Sequence, residues 1–144
     1  MLKQQLPAHN ICGIDISKVA IRYAAKRYKN IDFCVASAYQ VPLKNNSIDL
    51  MVRIYAPSKA QELLRLIKNK CYLITLPVQS KSSKNPGDNQ EMMTARRAFL
   101  NTGGYLPLAN KVAQISKQYV TDIKQAQILD LGCGEGYYTD LLKQ

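Results

Sequence analysis

Short apolar runs alternate with amphipathic helical segments along residues 10–75, and this alternation narrows the possible folds more than any other feature of the chain. "NICGIDIS" (10–17), "IDFCVAS" (31–37), "IDLMVRIY" (48–55) and "KCYLIT" (70–75) read as strands. "KVAIRYAAKRY" (18–28) puts Val19, Ala20, Tyr23, Ala24 and Tyr28 roughly on one helical face, with basic residues opposite. Ser17 stands where an N-cap for that helix is expected. "SKAQELLRLIKN" (58–69) has Ala60, Leu63, Leu64 and Ile67 on one face. Pro42 and the Asn pair mark "VPLKNNS" (41–47) as a loop. Strands alternating with helices predict an α/β fold, a mostly parallel sheet of about five strands with helices on both faces.

The texture changes after residue 78. "QSKSSKNPGDNQ" (79–90) is polar, carries Pro and Gly, and reads as a loop. Asp88 and Glu91 have the spacing of a capping box for the helix "EMMTARRAFLN" (91–101), which "TGGY" (102–105) stops. A second amphipathic helix, "PLANKVAQISKQYVTDI" (107–123), leads into a last strand, "AQILDLG". The chain has 144 residues and no internal repeat, so one domain is expected over 1–144. It falls into three stretches: 1–75, 76–127 and 128–144.

Twenty Lys and Arg against ten Asp and Glu leave a net charge of +10, which favours a polyanionic partner such as RNA or DNA. The four cysteines (12, 34, 71 and 133) are far apart in sequence, and His9 is the only histidine. That spacing suits neither a zinc site nor a disulfide framework, so no metal and buried reduced thiols are expected. No apolar run approaches the ~20 residues of a membrane span, and "MLKQQLPAHN" lacks the apolar core of a secretory signal. The expected location is cytoplasmic, away from membranes.

In an open α/β sheet the ligand lies beyond the carboxyl ends of the strands. Three strand ends carry chemistry here. "LDLGCGEG" (129–136) runs a strand into a Gly-x-Gly-x-Gly turn, where glycine lets the backbone turn tightly and approach a ligand. "CGIDIS" places Asp15, followed by Ile16, where a carboxylate can accept ribose hydroxyls. "VASAYQVPL" ends a strand at Ser37 and Ala38, before a loop able to wrap an adenine. A dinucleotide-binding turn would read Gly-x-Gly-x-x-Gly; here Gly132, Gly134 and Gly136 lack the extra residue, and Asp130 stands where that pattern has an apolar side chain. A carboxylate at that point suits a ligand with a positive or amino end better than a pyrophosphate.

Together these segments resemble the donor-binding motifs of the class I S-adenosylmethionine (SAM) methyltransferases. The segments "NPGDNQEMMTARRAFLNTGGYLPL" (85–108), "LDLGCGEGYYT" (129–139), "IDISKVAIRYAAKRY" (14–28), "FCVASAYQVPL" (33–43) and "RIYAPSKAQELLRLIK" (53–68) resemble the RlmA family, which methylates a guanine N1 in a large-subunit ribosomal RNA hairpin. The resemblance implies a Rossmann-like methyltransferase sheet and SAM as cofactor. It implies Asp130, Gly132, Gly134, Glu135 and Gly136 on the amino-acid and ribose side of SAM, Asp15 at the ribose, and Ser37 and Ala38 at the adenine. Tyr105 matches a family tyrosine facing SAM, and Tyr55 stands where it could stack on the target base. Arg53, Arg96 and Arg97 are candidate RNA contacts, and large-subunit ribosomal RNA is the implied partner.

The segments come in a different order from the family's, where "MMTARRAFL" and "LDLGCGEGYYT" precede "GIDIS". Joining the tail to the head sets Tyr138, Leu141, Leu142, Met1, Leu2 and Leu6 at helical spacing. The chain therefore reads as a circular permutant cut inside one helix, with a domain-swapped homodimer as a further option. The family's zinc ribbon and its C-terminal region have no counterpart in this sequence. Two alternatives to an rRNA methyltransferase stay open: a SAM- or RNA-binding remnant without turnover, and a small-molecule methyltransferase.

Overall fold

The computed structural model describes residues 10–76, 89–120 and 125–143. The expected junction of Gln144 with Met1 lies outside them, as do Asp88 and most of the polar loop before it.

Five strands are described: β1 (Ile11–Asp15), β2 (Asp32–Val35), β3 (Ile48–Ile54), β4 (Ile67–Leu76) and β5 (Ile128–Leu131). They form one sheet in the order β2-β1-β5-β3-β4. Every pairing is parallel, where a mostly parallel sheet was expected. The strand latest in sequence is central: β5 pairs with β1 (Ile11 opposite Ile128) and with β3 (Leu50 opposite Ile128).

Alternate side chains of these strands enter two separate cores. Cys12, Ile14, Met51, Leu129 and Leu131 meet Leu63, Leu66, Val41 and Leu43 on one face. Ile11, Leu50, Val52, Ile54 and Ile128 meet Val112 and Leu142 on the other. A period of two with both phases apolar is what a parallel sheet buried on both sides requires.

Five helices are described. α1 (Lys18–Arg27) buries Ala20, Ile21 and Ala24, and the Ser17 hydroxyl caps it as expected, accepting from the Ala20 N–H at 3.2 Å. α2 (Ala60–Leu66) is shorter than expected, and β4 starts three residues early, at Ile67. Sheet pairing overrides helix propensity there, because Ile67 sits opposite Ile48 at the start of the ladder. α3 (Gln90–Asn101) is capped by Asn89, whose side chain accepts from the Met92 N–H at 2.9 Å, in place of the expected Asp88. α4 (Leu106–Tyr119) and α5 (Tyr137–Leu141) complete the set.

One side chain fixes the loop between β2 and β3. Arg65, on α2, donates to the carbonyls of Leu43 (2.7 Å) and Val41 (2.8 Å) and to Asn45 Oδ1 (2.9 Å), and it pairs with Glu62. Its hydrogen bonds, the strongest influence on Glu62, hold that carboxyl below its ordinary range. The Val41 N–H closes the staple onto Glu62 Oε1 at 2.7 Å. Replacing Arg65 by Met strands two carbonyls and a carboxylate. Arg65→Met should therefore lower unfolding stability by roughly 1–3 kcal/mol and speed amide exchange over residues 41–46. Urea denaturation and hydrogen exchange measure the two effects, and unchanged exchange in that loop would show that the staple is idle.

Candidate active site

The carboxyl end of β5 runs directly into the glycine turn. Gly132, Gly134 and Gly136 all take positive φ (81°, 56° and 81°). Gly132 is the tightest: a Cβ there would lie 2.4 Å from the Ala56 Cβ, so the turn is pressed against the end of β3. The Ile14 carbonyl accepts from the N–H of Gly132 (2.7 Å) and of Cys133 (3.0 Å), which lays the turn over the end of β1.

Asp15 completes that join. Its Oδ1 accepts from the Ser17 N–H at 2.8 Å, and its Oδ2 accepts from the Gly134 N–H at 2.9 Å. One carboxylate thus holds both the start of α1 and the middle of the glycine turn. Ile16 is exposed beside it. The Ala36 N–H donates to the Asp15 carbonyl at 3.0 Å, which brings the end of β2 to the same place. Ser37 and Ala38 follow in a tight turn: the Gln40 N–H donates to the Ser37 carbonyl, and the Tyr39 N–H to the Ser37 hydroxyl.

The other two acidic residues face inward. Asp130 is 2% exposed, and the Thr139 hydroxyl donates to its Oδ2 at 2.6 Å, tying β5 to α5. Burial raises the Asp130 carboxyl to about 7; the Thr139 bond lowers it and the charge of Asp15 raises it further. Glu135 is 5% exposed and pairs with Arg97 of α3, whose Nη2 lies 2.6 Å and Nε 2.9 Å from Oε2. The Arg97 guanidinium also lies over the Tyr23 ring at 4.4 Å, and the Gln90 side-chain amide donates to the Tyr23 hydroxyl. α3 is thereby strapped to the turn through Glu135 and to α1 through Tyr23.

Tyrosines surround this strand end. Tyr55, directly after β3, is half-exposed and has φ 57°, a left-handed conformation uncommon for a bulky residue. Tyr105 caps the start of α4 and meets Phe99 edge-on at 5.4 Å. Burial pushes the Tyr138 hydroxyl up to about 12, with further raising contributions from Tyr105, Tyr55, Tyr137 and Asp130, all within electrostatic reach.

Sequence-expected residues from four segments therefore converge here: Asp15 and Ile16, Ser37 and Ala38, Tyr55, and the 130–136 turn, with Tyr105 nearby. The three arginines sit differently. Arg97 is engaged with Glu135, and Arg53 donates to Thr75 Oγ1 (2.8 Å) and Ser58 Oγ (2.9 Å). Arg96 Nη1 lies 3.4 Å from the position a Gly134 Cβ would take. Sequence reading missed Tyr23 and the Arg97–Glu135 pair, because each joins elements far apart in the chain, and it missed Thr139, whose bond to Asp130 across the glycine turn depends on how the turn folds back. All four cysteines are free thiols; Cys12 and Cys133 are buried, whereas Cys34 and Cys71 are only partly so. Among the described residues no group of His, Cys, Asp and Glu is placed to hold a metal, and no helix is long and apolar enough to cross a membrane.

Comparison with known proteins agrees with the fold. Residues 1–120 match the family model described as "Methyltransferase domain". The match ends before β5, so the glycine turn is placed by its own geometry. A Bacillus subtilis (strain 168) protein named as a 23S rRNA (guanine-N(1)-)-methyltransferase, YxjB, is 35% identical over 68 residues. That alignment covers 47% of this chain and 24% of the relative, so the chain spans about a quarter of that relative's length.

Asp130 makes stability depend on pH. A carboxyl raised to about 7 in the folded state keeps a proton that the unfolded chain releases near 4. Its contribution is therefore fully present below about pH 4, is lost as pH rises to about 7, and is flat above. Urea unfolding between these limits should show wild type losing a few kcal/mol relative to Asp130→Asn. Parallel pH profiles for the two proteins would show that Asp130 titrates normally.

Proposed function

The chain belongs to the methyltransferase-domain family, and we propose that it binds SAM at the 132–136 turn and transfers its methyl group to a guanine of large-subunit ribosomal RNA. The observation that carries this is the Asp15 carboxylate at the strand end, bonded to the Gly134 N–H beside the left-handed turn. Each Asp15 oxygen accepts one backbone N–H, which leaves lone pairs for ribose hydroxyls. The Asp15 carboxylate on the rim of the turn suits ribose hydroxyls, and it places negative charge near a cationic sulfonium and amino end. The residues present thus fit the cofactor the family implies. When bound, SAM supplies an electrophilic methyl group for direct in-line displacement.

The protein's own part is alignment. Asp15 and the turn hold the donor side, with Ser37, Ala38 and the Arg65-stapled loop beside the adenine. Asp130 is almost wholly buried, and its Oδ2 bond to Thr139 positions α5 and the turn beneath the donor. Glu135 likewise acts on α3 through Arg97. Tyr55 is the candidate base-stacking group: its left-handed backbone projects a half-exposed ring from the end of β3. The rRNA guanine as substrate is supported by the name of the Bacillus subtilis relative and by the net charge of +10.

We read the strand order as a rotation of the family's. The turn-bearing strand lies centrally in the sheet between β1 and β3, although its sequence follows theirs, which fits a circular permutation.

Tyr55 provides the test. Glycine at a positive φ relieves strain of roughly 1 kcal/mol, so Tyr55→Gly should fold at least as stably as wild type. Its transfer of tritiated methyl from SAM to unmodified large-subunit rRNA should fall at least about tenfold, with Tyr55→Phe near wild type. Label transfer undiminished in Tyr55→Gly would remove Tyr55 from the site. No label transfer by wild type that still binds SAM would favour a binding remnant.

A further inference from the structure

We propose that the exposed face of α1 is an RNA-backbone docking strip leading to the candidate active site. This rests on the reading of the chain as an RNA methyltransferase, and it goes beyond that reading by naming the surface the RNA occupies.

Lys18, Arg22 and Lys26 are exposed and recur every four residues, so they lie one above another on one side of the helix. At about 1.5 Å rise per residue, successive cations stand roughly 6 Å apart along the axis. Arg27 and Lys29 add to the C-terminal end of the strip and are exposed too. α1 contains no acidic residue. Among the described residues, none of Lys18, Arg22 and Lys26 makes an ion pair.

This arrangement works against the helix that carries it. Like charges at four-residue spacing repel and Lys18 in the first turn opposes the helix dipole, while Lys26 and Arg27 in the last turn complement it. An ordinary solvated face would intersperse glutamates. α1 instead keeps one sign of charge in line despite the repulsion between neighbouring turns, which is a pattern expected where function overrides local rules. A row of phosphates is the partner that turns this repulsion into attraction, through counterion release.

The strip also starts in the right place. Lys18 is three residues after Asp15 and next to Ser17, both within the strand-end constellation. On its other side α1 is fixed by Tyr23, which holds Arg97 and Gln90 of α3. The exposed cations are therefore carried on a helix anchored to the site. Of the three arginines named from the sequence, Arg53 and Arg97 bond neighbouring side chains, whereas Lys18, Arg22 and Lys26 make no ion pair among the described residues.

The test is fluorescence anisotropy of a labelled synthetic RNA hairpin across a salt series, using the full chain. In Arg22→Gln/Lys26→Gln the slope of log affinity against log salt should shrink by about 1.5, near the 0.7–0.9 expected per lost phosphate contact. SAM affinity should stay unchanged, and the thermal midpoint should move little, because relieved repulsion offsets the loss of a cation from the last turn. The control Lys111→Gln/Lys117→Gln removes two exposed lysines from α4 and should change the slope far less. An unchanged slope in the α1 variant, or an equal loss in the α4 control, would overturn the proposal. So would anionic phospholipid vesicles displacing the RNA from wild type but not from the α1 variant. Loss of SAM binding by wild type would instead count against the enzymatic reading, so the two failures are separable.

Discussion

A single carboxylate joins the parts on which the site depends. Asp15 accepts one hydrogen bond from the start of α1 and one from Gly134 in the middle of the glycine turn, 119 residues further along the chain. The parallel pairing of β1 with β5 brings them together, and the Ile14 carbonyl adds two more bonds to the turn. Charge-assisted bonds to backbone N–H groups are short and directional, so the turn is set before any ligand arrives. Preorganisation of that kind is what an alignment catalyst needs, since reorganising the site would otherwise consume binding energy.

Around this join the acidic residues divide by burial. Asp130 and Glu135 are inside, each satisfied by one partner, Thr139 or Arg97, and each ties a helix to the turn. Asp15 alone sits at the rim with acceptor capacity to spare. Two nearby carboxylates in unlike surroundings differ accordingly: the buried one is raised to about 7 and ties α5 to β5, and the rim one keeps acceptor capacity open to solvent. The basic residues divide in the same way. Arg53, Arg65 and Arg97 are structural, and the cations of α1 face solvent.

The strands and the sheet class were legible in the sequence because each strand carries a short apolar run, the central ones buried on both faces, and the helices between them are amphipathic. The glycine turn was legible because Gly132 has no room for a side chain and three glycines fall at fixed offsets after a strand. Boundaries were less so: α2 gives up its last turn to β4 because pairing with β3 outweighs propensity, and Asn89 displaces Asp88 as cap by bonding Met92. Partners that join distant elements left no trace. Nothing in the spacing of Arg97 and Glu135, 38 residues apart, marks them as a pair, and Thr139 looks like any residue of a helix start. The partners of Arg53 and Arg97 were equally hidden, since a long cationic side chain reads alike whether it reaches for a neighbouring oxygen or for a phosphate.

The central claim is that the turn and Asp15 form a SAM site. Calorimetric titration of SAM into the full chain and into Asp15→Ala tests it most directly, with circular dichroism to confirm that both are folded. The account predicts saturable binding to the wild type and an affinity lowered at least about tenfold in the variant, equivalent to about 1.4 kcal/mol. A folded wild type that releases no heat with SAM, or an Asp15→Ala protein that binds SAM as tightly as wild type, would contradict it.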